Sequence, residues 1–573
     1  AIVNDIGKRW EEENRMRRNA GAALTALGIA AFLLLFLVVP VLQVIRAAFA
    51  DGRGGFTLVN FEDFFRTALF VESFWNSLYV ATMSMLLATL ISVPLAYFTT
   101  RLELRGAVLI QSLGVIPLII PPFVGAVAMQ LVFGRSGSIN LLLDRWFGFT
   151  VPFMEGLNGV IFVETLHYFP FLLMNLSASL ANIDSSMEES AQNLGASGLR
   201  LLRRIVLPLA MPGYVAGALL VFCKVFDELG TPLLLNVTQM LGPQAYLRIT
   251  TIGVQDPMGY VLSVIMVAFS LLAMGLAGLA LRGKEFATVQ KGAGGLSKRA
   301  LKPWEKAGCY AAAGLLLALV LSPHLGILLL SLGRVWSFSV LPEGLTLAHY
   351  AEVFRETPQF MTNTALYATL AAGLDVAVGT AIAHCILRTR LPGRHLLDYV
   401  SMASLAIPGV VLGIGYLRTF HGLALPWGGQ PLATFWPLLV VALAVRRLPY
   451  ALRACMAALQ QVHPSLEEAA ENLGAPKLRT VARITVPLMS GGILAGFVAS
   501  FVTAAVELST TLMLVSTDAN APLSYGIYVY MQSAAGRGPG AALGIVAVAL
   551  MAAGAYFSNR LIGQGKLGVG AAA

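Results

Sequence analysis

The sequence has little charge for its length. Only 12% of its 573 residues are charged, against about 25% in ordinary soluble domains. In contrast, 57% are hydrophobic, and the mean hydropathy is +0.74. So much apolar surface cannot be buried inside a soluble core, so the composition excludes an ordinary soluble enzyme or binding domain and indicates a membrane protein.

Cysteine pairs and phosphate-binding loops are also missing. The chain contains no G-x-x-x-x-G-K-[ST] motif, the loop that cradles nucleotide phosphates, so we expect no ATP hydrolysis and no bound cofactor on this chain alone. The cysteines stand singly in apolar segments, without the spacing of a metal or redox site. We interpret them as small buried side chains. They are Cys223, Cys309, Cys385 and Cys455.

The excess of basic residues does not indicate a nucleic-acid partner. The net charge is +9, but no basic segment is interleaved with aromatic residues that could stack on bases. In membrane proteins, Lys and Arg concentrate in short cytoplasmic loops. We therefore predict a lipid bilayer as the environment and no nucleic acid as a partner.

Apolar runs of about 20 residues recur along the whole chain, each long enough to cross a bilayer. If the N-terminus lies in the cytoplasm, every basic cluster between these runs falls on the cytoplasmic side. We interpret the first run as a transmembrane helix rather than a signal peptide. The fold class predicted is an all-α polytopic membrane protein with about 12 transmembrane helices. The predicted spans are 20–47, 75–99, 107–133, 158–181, 209–234, 258–281, 307–332, 362–387, 396–419, 432–456, 489–514 and 538–562.

One polar stretch occurs twice. Residues 188–213 and 467–492 are identical at just over half of their aligned positions, at an offset of 279 residues. Such self-similarity indicates duplication of a whole structural unit. We predict two six-helix repeats in parallel orientation, at 1–281 and 307–573, joined by a basic cytoplasmic linker at 282–306.

Each copy of the polar stretch follows the fourth span of its repeat, which places it in the cytoplasm. Helix-start residues precede it and a glycine ends it, so each copy predicts a short helix followed by a turn. Such a helix could be a solvated loop or a docking element. We favour docking, because the two copies agree better than the spans beside them.

The same residues resemble the permease subunits of binding-protein-dependent ABC importers. The family pattern begins with Glu-Ala-Ala, followed after three residues by Gly. After nine further residues come Ile, any residue, Leu and Pro. The second copy matches it with Val486 in place of Leu, and the first with Ser190 in place of Ala. The matching residues are Glu189, Ala191, Gly195, Ile205, Leu207 and Pro208, and Glu468, Ala469, Ala470, Gly474, Ile484 and Pro487.

This resemblance implies a coupling helix in each copy, within segments 184–208 and 463–487, that seats on a nucleotide-binding subunit. Glu188 and Glu467 precede the matched pattern and are included among the coupling residues. The implied partners are an ATP-binding cassette ATPase dimer, which would hold ATP and Mg, and a periplasmic substrate-binding protein. The implied location is the bacterial inner membrane.

A fused double-length permease of this type resembles the ferric-iron importer branch, which implies ferric iron as the cargo. Relatives of that branch import 2-aminoethylphosphonate, polyamines, thiamine or sugar phosphates, and these stay open as alternatives. Acidic residues within spans are the candidates for a substrate pathway, because charge there is costly. Glu228 and Glu507 occupy the same place in the two repeats and could form a hard oxygen site for a metal cation, with Asp227 as a further donor. Alternatively, each glutamate pairs with an arginine or a broken helix end. Arg446 is then either a contact for anionic cargo or the partner of Glu507.

Two rival functions remain open at this point. An ion-gradient-driven secondary transporter would use intramembrane acids such as Glu228 and Asp375 as ion sites. It would not need two matched docking helices. A structural membrane subunit with no pathway of its own would tolerate neutralisation of Glu228 and Glu507.

Overall fold

The computed structural model describes residues 21–53, 55–196, 198–281, 298–424, 429 and 431–568. In these ranges the regular elements are helices, and β-pairing is confined to isolated bridges. Residues 1–20, which include the basic residues before the first predicted span, and residues 282–297 of the predicted linker lie outside the described residues.

The first repeat contains thirteen helices in the described residues. They are α1 Gly21–Ala48, α2 Val59–Arg66, α3 Ala68–Arg101, α4 Ala107–Val115, α5 Pro122–Phe133, α6 Ser138–Phe147, α7 Gly156–Ala181, α8 Ser185–Asn193, α9 Gly198–Leu201, α10 Leu207–Phe226, α11 Gly230–Leu234, α12 Leu241–Leu247 and α13 Pro257–Leu281. The second repeat follows the same order after its first long helix. Its helices are α14 Pro303–Leu332, α15 Ala348–Glu356, α16 Pro358–Arg388, α17 Arg394–Ala403, α18 Gly409–Phe420, α19 Trp436–Gln461, α20 Pro464–Asn472, α21 Lys477–Thr480, α22 Val486–Leu488, α23 Ser490–Ala505, α24 Ser509–Leu514, α25 Leu523–Met531 and α26 Arg537–Gly568.

The prediction of an all-α polytopic membrane protein is confirmed. Among the described residues, nine helices are long and apolar enough to cross a membrane, and a tenth is obtained if the bent pair Lys477–Leu488 and Ser490–Ala505 is one span. Two of the twelve predicted spans do not meet this measure. The span predicted at 396–419 is divided between α17 and α18, and that at 432–456 falls on α19, which carries three arginines.

Prolines interrupt the chain at equivalent places in the two repeats. The helix starting at Pro122 is preceded by Pro121, and the helix starting at Gly409 by Pro408; both prolines have extended ψ angles near 140°. Proline lacks the N–H that would continue the preceding helix. The predicted span 107–133 is therefore broken into α4, a short 3₁₀ turn at Ile116–Leu118, and α5.

The helices form two compact units, and neither coincides with a sequence repeat. One, called here the C unit, comprises residues 21–50, 358–525 and 549–568 of the described chain. The other, the N unit, comprises the described residues of Asp51–Thr357 and Gly526–Val548. Helix α1 of the first repeat thus lies in the C unit, and α14 of the second repeat lies in the N unit.

In the C unit, α16, α19 and α23 pack closely because small residues face the contacts. A Cβ added at Gly379 would lie 3.1 Å from Leu452 N, and one at Gly496 would lie 3.1 Å from the Cα of Ala451. Close backbone approach through small residues is the usual way that membrane helices associate. Helix α1 joins this unit through a hydrogen bond of 2.7 Å from the Tyr416 hydroxyl to the Phe36 carbonyl.

In the N unit, α3, α7 and α10 pack together, and α14 lies against α5. The Ser92 hydroxyl donates to the Phe169 carbonyl at 3.0 Å and fixes α3 against α7. Helix α3 has 34 residues, which corresponds to about 50 Å at 1.5 Å per residue. Because this exceeds the roughly 30 Å of hydrocarbon, the helix extends out of the apolar layer. Its last residue, Arg101, takes part in the site described below.

Candidate functional site

The duplicated polar stretch forms a short helix in each unit, as predicted. Helix α8 begins after Asp184, whose carboxylate accepts a hydrogen bond from Ser186 N at 2.9 Å. Helix α20 begins after His463, whose imidazole Nδ1 accepts from Ser465 N at 3.2 Å. Both caps satisfy an amide that a helix start leaves free.

A glycine in the left-handed conformation ends each helix. Gly195 has φ +87° and Gly474 has φ +85°, a backbone region that other residues enter at a cost. The next amide folds back in both copies, from Ala196 N to Ala191 O at 2.9 Å and from Ala475 N to Ala470 O at 3.0 Å. This is the Schellman-type ending expected of a helix stopped by glycine.

Each short helix has one inward face and one outward face. Ala191 and Ala470 are buried at 9% exposure, whereas Leu194 is 89% and Leu473 90% exposed. Exposed apolar residues precede these leucines by seven positions, at Met187 in one copy and at Leu466 in the other. A spacing of seven places them on the same side of a helix. Exposed apolar residues clustered in this way are typical of an interaction surface.

The acidic pair at the start of each helix is divided between the two faces. Glu189, Glu468 and Ala469 are exposed. The preceding acids point into the protein and bind arginines. Glu188 Oε1 lies 2.6 Å from Arg101 Nη1, and Glu467 Oε2 accepts from Arg388 Nε at 3.0 Å.

These ion pairs attach each short helix to the end of a long one. Arg388 also donates through Nη2 to Leu459 O at 3.1 Å and to Val462 O at 2.5 Å, so it binds the last carbonyls of α19 as well. Thr485 donates to the second Glu467 oxygen at 2.9 Å. In the N unit, burial raises the pKa of the Glu188 carboxyl above its ordinary value, and the Arg101 guanidinium opposes that shift without cancelling it.

A groove of about 500 Å³ lies beside α8 in the N unit. It is lined on one side by α8 and on the other by the π-helical turn at Leu202–Val206 and the first turn of α10. The C unit has a π-helical turn at the equivalent Val481–Thr485. The groove is lined by Ser186, Met187, Ser190, Ala191, Leu194, Arg204, Ile205, Pro208 and Leu209.

The predicted substrate-pathway acids lie at breaks within the fifth span of each repeat. Glu228 stands between α10 and α11, where it accepts from the Tyr168 hydroxyl at 2.8 Å and from Gly230 N at 3.1 Å. Asp227 is the residue that ends α10, and it is partly buried.

Glu507 stands at the same point of the C unit and has a different partner. It is buried and paired with Arg446. Its carboxylate also accepts from Thr510 N at 3.1 Å and from Thr511 N at 3.2 Å, and so caps α24. For Glu507 and Arg446, the structure therefore shows the ion pair and the helix-end contact that the sequence left open as an alternative to cargo binding.

The described residues contain no group of three or more His, Cys, Asp or Glu side chains that could hold a metal ion. Glu228 belongs to the N unit and Glu507 to the C unit. The predicted joint metal site of these two residues stays a prediction.

Two buried acidic residues were not predicted from the sequence as residues of the candidate site. Glu164 on α7 is fully buried near Glu228. Asp375, named in the sequence analysis only as an ion site of the rival secondary transporter, accepts from the Ser500 hydroxyl and interacts with Arg447. A charged residue inside an apolar run was a readable signal for Glu164, but no pattern in the sequence connects Asp375 with Ser500.

These features define a class: a duplicated polytopic membrane protein that presents one short polar helix per repeat, of the kind found in transporter subunits. The family model described as "Binding-protein-dependent transport system inner membrane component" matches the chain twice, at residues 88–284 and 375–566. The chain belongs to this family, and it is a fused double-length permease of the ABC importer type.

Individual relatives cover either the whole chain or one repeat. A ferric transport system permease protein of Actinobacillus pleuropneumoniae is 26% identical over 506 residues, covering 87% of this chain and 72% of the relative. A putative ferric transport system permease protein of Haemophilus influenzae is 26% identical over 498 residues, covering 84% and 76%. A molybdenum transport system permease protein of Haemophilus influenzae is 32% identical over 185 residues, covering 31% of this chain and 80% of the relative.

Proposed function

We propose that this chain is the pore-forming subunit of an ATP-driven importer in the inner membrane, that a periplasmic binding protein delivers its substrate, and that the cargo is ferric iron. The observation that carries the proposal is the pair of matched outward faces on α8 and α20. Each combines an exposed acid with a leucine about 90% exposed, Leu194 or Leu473.

Two matched faces on one chain suit a partner that is itself a pair. An ATPase dimer offers two like surfaces, and each would receive one short helix. ATP and Mg would be bound there, since this chain lacks the phosphate loop. Closure of the ATPase dimer would move α8 and α20. The ion pairs Arg101–Glu188 and Arg388–Glu467 would pass that movement to α3 and α16.

The assignment of iron is supported by the names of the relatives that match most of the chain. The cytoplasmic position of the N-terminus is supported by the distribution of Lys and Arg between spans. A secondary transporter or a purely structural subunit leaves the matched outward faces without a role.

Docking is tested by replacing both exposed leucines, Leu194→Asp with Leu473→Asp, and measuring how much ATPase subunit co-purifies. Burying one leucine contributes about 1.5–3 kcal/mol, so the loss of both lowers the affinity by at least about a hundredfold. Leu341→Asp is the matched control, because Leu341 is 64% exposed and lies outside the duplicated stretch. Equal recovery of ATPase with both variants would contradict the docking role.

Cargo is tested in cells that lack their own ferric importer and express this chain with its ATPase and binding protein. We expect ATP-dependent uptake of radioactive ferric iron and none of molybdate. Uptake of molybdate alone would overturn iron as the cargo but leave the importer intact. Gradient-driven uptake without the ATPase would overturn the importer itself.

A further inference from the structure

Glu164 is a buried acid of the N unit whose charge the contacts described so far do not balance. It lies on α7 within a predicted span, and its exposure is 0%. The Thr231 hydroxyl approaches its carboxylate. Yet among the described residues, no group donates a well-formed hydrogen bond to either Glu164 oxygen. An acid in the membrane interior without compensation is costly, and such residues are usually functional.

A second acid lies beside it. Tyr168 follows Glu164 by one helical turn on α7, and its hydroxyl donates to Glu228 at 2.8 Å. Thr231 contacts both acids, with its hydroxyl toward Glu164 and its backbone N–H toward Glu228. The two carboxylates thus interact electrostatically, and each has one hydroxyl group beside it, Thr231 for Glu164 and Tyr168 for Glu228.

The charges around this pair do not neutralise it. Lys224 interacts with Glu228. Asp227, three residues after Lys224, carries the opposite charge, so Lys224 and Asp227 together add no net charge. The position that holds Arg446 in the second repeat holds His167 here. The titratable groups that interact with the two acids are Tyr168 on α7 and Lys224 on α10, and Asp227 interacts with Tyr168.

The C unit balances the charge of its buried glutamate with an arginine. Its glutamate, Glu507, is paired with Arg446, and the position equivalent to Glu164 is the apolar Leu443. One acid and one arginine balance there. In the N unit, two acids occupy the corresponding space without that arginine.

We propose that Glu164 and Glu228 form a cation site in the N unit, with the Tyr168 and Thr231 hydroxyls as its neutral oxygen donors. Two carboxylates in a site of low dielectric constant repel each other, and a bound cation removes that repulsion. The cation is either a proton shared by the pair or a metal ion held by carboxylate and hydroxyl oxygens, the ligands that hard cations prefer. The site goes beyond the proposed function, because it requires neither the ATPase nor the binding protein.

The test uses the full-length chain purified into lipid nanodiscs. Infrared spectroscopy detects a protonated carboxyl by its C=O stretch. Equilibrium dialysis against ferric nitrilotriacetate, with sodium chloride in a parallel arm, measures bound metal ion. At neutral pH we expect either one protonated carboxyl or one bound metal ion per chain.

The variants locate the site. Glu164→Gln should abolish both signals, whereas Glu228→Gln should abolish metal binding and shift the C=O band, because it removes the charged neighbour. The exposed Glu356→Gln is the control and should change neither. Tyr168→Phe keeps both acids and should weaken metal binding by several fold without abolishing it.

The two cation sources are separated by combining the measurements. A band that persists with metal present assigns the site to a proton, and a band that disappears on metal binding assigns it to the metal ion. A wild-type chain with neither a band nor a bound ion would overturn the proposal. So would signals that survive in Glu164→Gln. Neither result would affect ATPase docking, which is measured separately.

Discussion

Arg388 binds Glu467 across 79 residues of sequence, and by doing so joins the end of α16 to the first turn of α20. The first repeat contains the same relationship between Arg101 and Glu188. Both arginines end a long membrane helix, and both glutamates begin a short polar one. The duplication has therefore preserved a connection between two elements as well as the elements themselves.

Arg388→Ala should destabilise the C unit and weaken the attachment of α20. The Arg388 and Glu467 side chains are 13% and 14% exposed, so the loss of this charge-assisted hydrogen bond should cost about 1–3 kcal/mol. Thermal unfolding of the purified chain followed by tryptophan fluorescence measures the change. Arg355→Ala is the control, because its ion pair with Glu356 is 82% and 50% exposed and should be nearly neutral. Equal melting temperatures for the two variants would contradict this role of Arg388.

Gly474→Ala should cost about 1–2 kcal/mol and disturb the turn after α20. The residue has φ +85° with no atom within 4 Å of an added Cβ, so the cost comes from backbone conformation alone. Gly491→Ala is the matched control. An added Cβ there also meets nothing within 4 Å, but Gly491 lies in a right-handed helix, where alanine is favoured. The two variants should move the melting temperature in opposite directions, and a shift of the same sign in both would refute the explanation.

The sequence predicted those parts of the fold that depend on local chemistry. Helix starts and the glycines that end the short helices are decided by a few neighbouring residues. The short helices at Ser185–Asn193 and Pro464–Asn472 therefore lie within the predicted segments 184–208 and 463–487.

Contacts between distant residues could not be predicted in this way. Nothing in the sequence shows that Phe36 accepts a hydrogen bond from Tyr416, or that α1 packs with helices of the second repeat. Similarity between the repeats identifies equivalent positions. It does not show whether a helix packs against helices of its own repeat or of the other repeat. The different environments of Glu228 and Glu507 have the same origin, because they depend on residues some 60 positions away.

Arg446→Met should be among the most destabilising single changes in the C unit. The Arg446 and Glu507 side chains are 10% and 2% exposed, and the loss of one partner leaves the other charge buried, at a cost of about 3–5 kcal/mol. A Cβ at Gly409 would overlap the Arg446 guanidinium, which shows how closely the arginine is packed. The double variant Arg446→Met with Glu507→Gln should recover much of the lost stability, because neither charge remains. A double-mutant cycle on unfolding free energies measures the coupling, and additive losses would show that the two residues act independently.

Asn363→Ala should loosen the loop that precedes α25. The Asn363 amide donates to Ala519 O at 2.8 Å and to Ala521 O at 3.0 Å. Its equivalent in the first repeat, Asn76, donates to one acceptor among the described residues, Gln239 O at 2.9 Å. At about 0.5–1.5 kcal/mol per hydrogen bond, Asn363→Ala should cost roughly twice as much as Asn76→Ala. Hydrogen exchange of amides in residues 517–523 should accelerate in the first variant, and exchange in residues 237–241 in the second. Acceleration spread evenly over the chain would instead indicate global destabilisation and would contradict a local tether. Because the neighbouring Thr364 hydroxyl accepts from Leu523 N at 2.6 Å, Thr364→Val should add to the effect of Asn363→Ala.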